Sequence, residues 1–237
     1  MVANQSKMSS AGHKLGQLIG DWFENYFVLP LLKEVAEKLG LYLDNRFVDR
    51  PARGDKIIWR DIDGNGVDYD FVLELGGTDE HIGIPVAFIE CFWRRGSRHS
   101  KDKARDDSGK LMPMRIAYPT ARFLGIVSAG DFTEPARDLV RSRDIDLLYV
   151  PKNKVVQAFS KSGLQIDYPD NATESQKLVL AADFEGKFSG KASKAVAKNL
   201  INLVGKVAVN SYIDRVKARL SALPQETASY YVTRRLP

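Results

Sequence analysis

The stretch that decides the fold is Pro-Val-Ala-Phe-Ile-Glu-Cys-Phe-Trp, at residues 85–93. Its nearly continuous apolar run is typical of a central strand that is covered on both faces. Glu90 interrupts the run, and the two-residue period of a strand places it on one face with two phenylalanines. A carboxylate inside such a strand is costly unless it is paired with a cation or binds a metal. The ordinary alternative to a functional site is a buried ion pair with an arginine such as Arg94 or Arg122.

A second acidic position lies in the strand that we predict before this one. Residues 56–63 and 67–75 have strand composition and flank Gly-Asn-Gly at residues 64–66, which is typical of a tight hairpin turn. Asp70 begins an apolar stretch in the second of these strands. Asp68 lies on the same face of the strand and could replace Asp70 if the register slips by two residues.

The remaining pattern alternates between helices and strands. Apolar residues recur at helical spacing over residues 15–39, and Pro30 predicts either two helices or one kinked helix there. Pro113 is expected to end the helix after the Glu90 strand. The other predicted elements are helices at 100–111, 134–143, 155–162, 171–180 and 191–223, and strands at 123–129 and 145–150.

This order predicts an α/β fold with a mixed central sheet flanked by helices, followed by a helical C-terminal region. We place the α/β core at residues 1–168 and the basic, mainly helical region at residues 169–237. Residues 150–237 hold 14 basic and 7 acidic residues, although the net charge of the whole 237-residue chain is only +5. A basic surface of this kind suits a polyanion, or is simply solvated.

Composition excludes several other classes of protein. Cys91 is the only cysteine, so a disulfide framework and a cysteine-based zinc site are both excluded. There is no run of 18 apolar residues that would predict a transmembrane helix, and the polar N-terminus lacks the apolar core of a secretory signal. We expect a cytoplasmic protein with no membrane association.

The segment after the Glu90 strand is strongly basic. Residues 91–105 contain six basic residues and one acid, Asp102. Two carboxylates on adjacent strands, followed by cations, suit phosphodiester hydrolysis. Carboxylate oxygens hold a hard divalent ion, the ion polarises the phosphate and activates water, and the cations stabilise the charge that develops on the phosphoryl oxygens.

With this order of elements and these acidic positions, the chain resembles the PD-(D/E)XK nuclease superfamily, and in particular its restriction-endonuclease-like members. Residues 69–72, Tyr-Asp-Phe-Val, stand where that family has Pro-Asp and apolar residues, and residues 89–92, Ile-Glu-Cys-Phe, stand where it has Glu-X-Lys. Residues 20–24 resemble the Gly-X-X-X-Glu of the family's first helix, and residues 93–104 resemble segments of its restriction-endonuclease-like members. The resemblance covers about residues 15–160, and the order of elements is more specific than the short motifs.

The resemblance implies a metal site and a set of ligands. Asp70 and Glu90 would bind the metal, and Glu24 would complete the site directly or through water. An ordinary solvated helix carboxylate is the alternative for Glu24. Glu74 is either a further ligand or a charge at the end of its strand. The implied ion is Mg²⁺, with Mn²⁺ as a substitute.

One residue departs from the family pattern, because Phe92 stands where the family has its catalytic lysine. A phenyl ring can neither orient the attacking water nor stabilise the phosphate. Lys103 is our first candidate for that role, Arg94 the second and Lys101 the third. His99 lies one helical turn before Lys103 and is a possible general base.

The function implied by the resemblance is that of a Mg²⁺-dependent DNA endonuclease, similar to type II restriction enzymes, acting on double-stranded DNA as a homodimer. The alternatives are a catalytically inactive DNA-binding protein with the same fold, and a structure-specific or RNA nuclease. The residues expected to contact nucleic acid are Arg95, Arg98, His99, Lys101 and Arg105.

Overall fold

The computed structural model describes residues 10–221 of the chain. The first nine residues, and the end of the predicted C-terminal region at residues 222–237, lie outside the described residues. The helices and strands, in chain order, are α1 (Ala11–Trp22), a π-helix (Phe23–Val28), α2 (Leu29–Leu39), β1 (Tyr42–Asn45), β2 (Ile58–Arg60), β3 (Gly66–Asp68), β4 (Phe71–Leu75), β5 (Ile84–Arg94), α3 (Ser100–Ala117), β6 (Phe123–Gly130), α4 (Glu134–Ser142), β7 (Asp146–Pro151), α5 (Lys152–Ser160), α6 (Glu174–Lys187), α7 (Gly190–Val204) and α8 (Lys206–Ser221).

A mixed five-stranded sheet forms the centre of the fold, with strand order β1-β4-β5-β6-β7. The β1–β4 and β4–β5 pairs are antiparallel, whereas β5–β6 and β6–β7 are parallel. The central position of β5 explains its apolar sequence, and every residue of the neighbouring strand β6 is buried. The predicted α/β class, with a mixed sheet among helices and a helical C-terminal region, is therefore confirmed.

The predicted hairpin differs from the observed one. The strand expected over residues 67–75 breaks at Tyr69 and Asp70: β3 pairs only with β2 in a separate two-stranded sheet, and β4 alone joins the central sheet. The Tyr69 N–H donates to the Ile57 carbonyl (3.0 Å), and its phenol donates to the Lys110 carbonyl (2.7 Å). These bonds turn the chain between the two sheets, so Asp70 lies in the bend. The sequence pattern does not predict strand β1.

The two helices predicted around Pro30 are present, and a π-helix joins them. Pro30 lies in the first turn of α2, where a missing N–H is tolerated. The wider π-helical turn buries Phe23, Glu24 and Phe27. Such turns are rare and often lie at functional sites, and this one carries the acidic residue of the Gly-X-X-X-Glu segment.

The prediction that Pro113 ends the third helix is wrong, because α3 continues through Pro113 to Ala117. An interior proline costs about 3 kcal/mol in an isolated helix. Here Ala104, Leu111 and Met114 bury one face of α3 against the sheet, and this packing outweighs the cost.

The sheet separates two hydrophobic cores. Helices α1, α2 and α5 to α8 share the core on one face, and α3, α4 and the β2–β3 hairpin cover the other. The predicted boundary at residue 168 stays a prediction, but α6, α7 and α8 pack into the same core as α1: the Trp22 indole N–H, for example, donates to the Ser193 carbonyl at 3.2 Å. Among the helices of residues 10–221, none combines the length and apolar composition needed to cross a membrane.

Candidate active site

The site begins where β5 extends beyond its antiparallel partner. Pairing between β4 and β5 ends at Phe71 and Ile89, whereas β5 stays paired with β6 as far as Arg94. The Cys91 N–H on the open side would lack a strand partner, and it donates instead to Asp70 Oδ2 at 2.6 Å. Asp70 is thereby fixed in the notch left by the end of β4, next to Glu90.

Glu90 is buried and poorly satisfied. Its side chain is 5% exposed, and its cationic partner is Lys110, whose Nζ lies 3.4 Å from Oε2 and 3.5 Å from Oε1. Both are long contacts for a charge-assisted hydrogen bond. Burial and the neighbouring Asp70 carboxylate raise the pKa of Glu90 to about 8, against the opposing effect of Lys110.

Asp70 also has few hydrogen-bond partners and a raised pKa. Burial raises the pKa of Asp70, while the Cys91 N–H and the cations of Lys103, Lys110 and Arg46 act in the opposite direction. Two adjacent carboxylates disfavour each other's ionisation, and burial strengthens the effect. The protein's own cations therefore compensate the ionised carboxylates only in part, and without a further cation the notch favours protonation of Glu90.

One face of α3 supplies the cations. Lys103, Asp107 and Lys110 are spaced four and three residues apart, so they project from the same side of the helix. Lys103 Nζ donates to Asp107 Oδ1 at 2.7 Å, and Asp107 is fully buried. Its other oxygen, Oδ2, has no hydrogen-bond partner among residues 10–221. Burial lowers the pKa of Lys110, but Glu90 and Asp107 outweigh this, so the net shift is upward.

Of the three candidates for the missing lysine, the structure brings Lys103 towards the carboxylates. Its Nζ lies 5.0 Å from the centre of the Phe92 ring, so the ammonium lies beside the residue that stands in place of a lysine in the sequence comparison made above. Arg94 points elsewhere, and its Nη2 donates to the Arg98 carbonyl at 3.3 Å. Lys101 is exposed. Sequence reasoning missed Lys110, although its spacing from Lys103 along α3 could have indicated it.

Glu24 lies beside the site as the partner of Arg46. The guanidinium donates to both of its oxygens, at 2.7 and 2.5 Å, and also to Asp21 at 2.6 Å. Burial raises the pKa of Glu24 to about 7, with Arg46 opposing the shift and Asp70 adding to it. Within residues 10–221, no three His, Cys, Asp or Glu side chains are grouped closely enough to hold a metal. Glu24 is thus near Asp70 without forming a three-carboxylate cage.

The two alternative acidic positions lie outside the site. Asp68, at the end of β3, is half-exposed and lies 3.5 Å from the Lys56 ammonium. Glu74 is fully buried, with Arg50 donating to both of its oxygens at 2.6 and 2.9 Å. The interpretation of Glu74 as a further metal ligand is therefore wrong, because an arginine already occupies its carboxylate.

Among the residues expected to contact nucleic acid, Arg95 is held within the protein. Its guanidinium donates to Asp170 at 2.9 Å and to the Tyr168 carbonyl, and it stacks over the Tyr168 ring at 4.0 Å. Asp167 lies 3.4 Å from its Nε. These contacts tie the end of β5 to the segment before α6, which gives Arg95 a structural role.

The other four residues of that set are exposed. His99 adopts a left-handed backbone conformation (φ 64°) at the start of α3, and its Nδ1 lies 3.1 Å from Asp102. Arg105 lies 3.5 Å from the same carboxylate. Arg98 and Lys101 have no acidic partner among residues 10–221, so their charges face solvent.

The donor set in the notch fits a hard divalent cation. Asp70 and Glu90 present carboxylate oxygens, and among the described residues no protein group donates to Asp70 Oδ1. Mg²⁺ is commonly held by one or two carboxylates, with water and substrate phosphate oxygens completing its octahedron. Two adjacent, under-satisfied carboxylates match that requirement without a third protein ligand.

Comparisons with known proteins give no family. No family model matches the chain, and no curated protein matches it. A solved structure described as a protein of unknown function, AF1548, has a TM-score of 0.35 at 11% sequence identity, and the match covers 87% of this chain and 97% of that one. A likeness of that size assigns neither a fold family nor an activity.

Proposed function

We propose that the protein is a metal-dependent nuclease with a restriction-endonuclease-like core of the PD-(D/E)XK type. The observation that carries the proposal is the notch beside β5, where the half-buried carboxylate of Asp70 and the buried carboxylate of Glu90 adjoin each other and lie next to two lysines of α3. Paired carboxylates with adjacent cations suit the hydrolysis of a phosphodiester, whose transition state carries extra negative charge.

Each residue has a distinct role in this proposal. Asp70 and Glu90 would hold Mg²⁺, or Mn²⁺ in its place, and the ion would supply Lewis-acid chemistry at the phosphate. Lys110, next to Glu90, stabilises the charge that builds up on the phosphoryl oxygens. Lys103 adds a second positive charge from the Phe92 side. Arg46 orients Glu24 at the rim of the site.

We propose double-stranded DNA as the substrate, with cleavage of the type II restriction kind. Exposed Lys191, Lys194 and Lys198 lie along one side of α7 and offer a basic surface for the DNA backbone. Cutting both strands of a duplex favours two active sites related by a two-fold axis, so a homodimer is part of the proposal. A cytoplasmic location agrees with DNA as the substrate.

Phe92 favours a second candidate, a nuclease-fold protein that binds DNA without cutting it. Lys110 weakens that alternative, because it brings an ammonium to Glu90 from a different element. Metal binding separates the two functions, since an inactive binder has no need of a divalent ion between Asp70 and Glu90. Parallel assays on duplex DNA, branched DNA and RNA separate a restriction-type nuclease from a structure-specific or RNA nuclease.

The direct test is cleavage of plasmid and phage DNA with Mg²⁺ or with a chelator. We expect Mg²⁺-dependent cleavage by the wild type and a loss of at least about 1,000-fold in Glu90→Gln, because the variant removes a metal ligand. Asp68→Asn is the matched control and should cleave like the wild type. Intact DNA under all salt conditions, or undiminished cleavage by Glu90→Gln, would overturn the proposal.

A further inference from the structure

A groove of about 560 Å³ leads away from the notch, between α1 and the part of β5 that extends beyond β4. Helix α1 forms one wall, and the end of β5 with the following turn forms the other. Its lining residues include Gly16 and Gln17 of α1, Phe92 and Arg94 of β5, Arg95 and Lys103. Lys103 lies near enough to lower the pKa values of Asp70 and Glu90, and Phe92 follows Glu90 on the same face of β5, so the groove adjoins the candidate active site.

The basic residues that line the groove differ in how far their charges are neutralised by neighbouring acids. Arg94, Arg95 and Lys103 supply positive charge, and none of the described residues that line it is acidic. Arg95 is paired with Asp170 and Lys103 with Asp107, but Arg94 has no acidic partner within residues 10–221. The Arg94 charge is thus available to an anion.

The α1 wall of the groove has no side chain at Gly16. A Cβ added at Gly16 would have no heavy atom within 4 Å, so no packing requirement explains a glycine there. Glycine inside a helix costs about 0.5–1 kcal/mol relative to alanine. Its neighbours on this wall, His13 and Gln17, are exposed and polar. The opposite wall includes Trp93, whose indole N–H is buried. The absence of a side chain at Gly16, beside the polar side chains of His13 and Gln17, leaves room for a sugar-phosphate chain to approach the helix backbone.

We propose that this groove binds the phosphodiester backbone of the substrate strand next to the scissile bond. The proposal rests on the nuclease function and adds to it the path of the strand: past Arg94 and across the Gly16 face of α1, then over Phe92 and Lys103 to the carboxylates. In this proposal the groove contacts the strand that is cut, and the basic side of α7 contacts a different part of the duplex.

Gly16→Glu tests the path, because it adds a negative charge and bulk in the groove at a helical position with open space. Ile116→Glu is the matched control. It adds the same charge at a 69%-exposed position of α3, about 20 Å along the helix from Lys103. Gly16→Ala separates bulk from charge. Binding is measured by fluorescence anisotropy with a labelled DNA duplex at several salt concentrations, without divalent metal, and folding is checked by urea denaturation.

We expect Gly16→Glu to weaken DNA binding by about tenfold or more, and to reduce the slope of log K against log salt by about 0.9 for each phosphate that the protein no longer neutralises. Gly16→Ala and Ile116→Glu should stay within roughly twofold of the wild type, since neither places charge in the groove. Equal effects of Gly16→Glu and Ile116→Glu, with cleavage by the wild type intact, would overturn the groove proposal alone. A wild type that neither binds nor cleaves DNA would overturn both proposals.

Discussion

Two clusters of carboxylates lie at opposite ends of β4, and they differ strongly in how many hydrogen bonds and ion pairs their oxygens accept. At the C-terminal end, Glu74 accepts two hydrogen bonds from Arg50 and one from the Gly83 N–H at 2.6 Å. Asp44 accepts from Arg50 at 2.8 Å and from Arg53 at 2.9 Å. Every charge in this cluster has close partners of the opposite sign.

At the N-terminal end of β4, the balance is different. Asp70 has one backbone donor, and Glu90 has only the long contacts to Lys110. The Asp70 carboxylate raises the pKa of Glu90, and so does Asp107. Burial alone therefore does not mark a functional carboxylate in this protein. A functional carboxylate is marked here by its missing hydrogen-bond partners, because a buried charge without partners is retained only where something else binds that charge.

The largest expected effect comes from breaking the satisfied cluster. Arg50→Met leaves Asp44 and Glu74 buried without their shared cation, and we expect the free energy of unfolding to fall by about 3–5 kcal/mol. Urea denaturation measures the change. Arg98→Met, at an exposed position, is the control and should stay within about 0.5 kcal/mol of the wild type. A decrease below about 1 kcal/mol in Arg50→Met would show that the cluster is not the structural element we describe.

The next largest effect concerns Lys110 and Lys103, the cations near the incompletely paired carboxylates of Asp70 and Glu90. Lys110→Met should lower the single-turnover cleavage rate by roughly 100- to 1,000-fold, because it removes the positive charge next to Glu90. Lys103→Met should lower it only about tenfold, since Lys103 is already paired with Asp107. Unfolding of each variant in urea provides the control for folding. A larger decrease in Lys103→Met than in Lys110→Met would reverse the assignment and favour the first sequence-based candidate.

The smallest expected effect is a difference in stability between substitutions of Glu74 and Glu90. These two residues are the most closely matched pair, because both are buried in the central sheet. Glu74→Gln should lower the free energy of unfolding by about 1–3 kcal/mol, as it weakens bonds to a buried guanidinium. Glu90→Gln should leave it unchanged or raise it by about 1 kcal/mol in metal-free buffer, because a repelled carboxylate is removed. Equal destabilisation by the two substitutions would remove the distinction between the clusters.

Much of the fold and two key positions of the site could be predicted from the sequence. Glu90 stands out because it interrupts an apolar strand, and Asp70 because it begins the apolar stretch of the preceding one. The alternation of later helices and strands predicts the parallel half of the sheet. These signals are local, so they can be recognised without knowledge of the tertiary structure.

The rest depends on contacts between residues that are distant in sequence. Strand β1 is short and lies at the edge of the sheet, so its pattern is weak. The partner of Glu74 is Arg50, on a loop between β1 and β2, and no spacing rule connects them. Lys110 reaches Glu90 because α3 packs beside β5, and the helical pattern alone does not show which strand residue its side chain meets.

The central claim is that the unsatisfied pair, Asp70 and Glu90, binds a divalent cation. Calorimetric titration of Mn²⁺ into the DNA-free protein tests it directly, with Asp70→Asn and Glu90→Gln as site variants and Asp68→Asn as the control. We predict saturable binding to the wild type and to Asp68→Asn, and no such binding to either site variant. Absence of saturable binding to the wild type, or binding that persists in Asp70→Asn and Glu90→Gln, would contradict the claim.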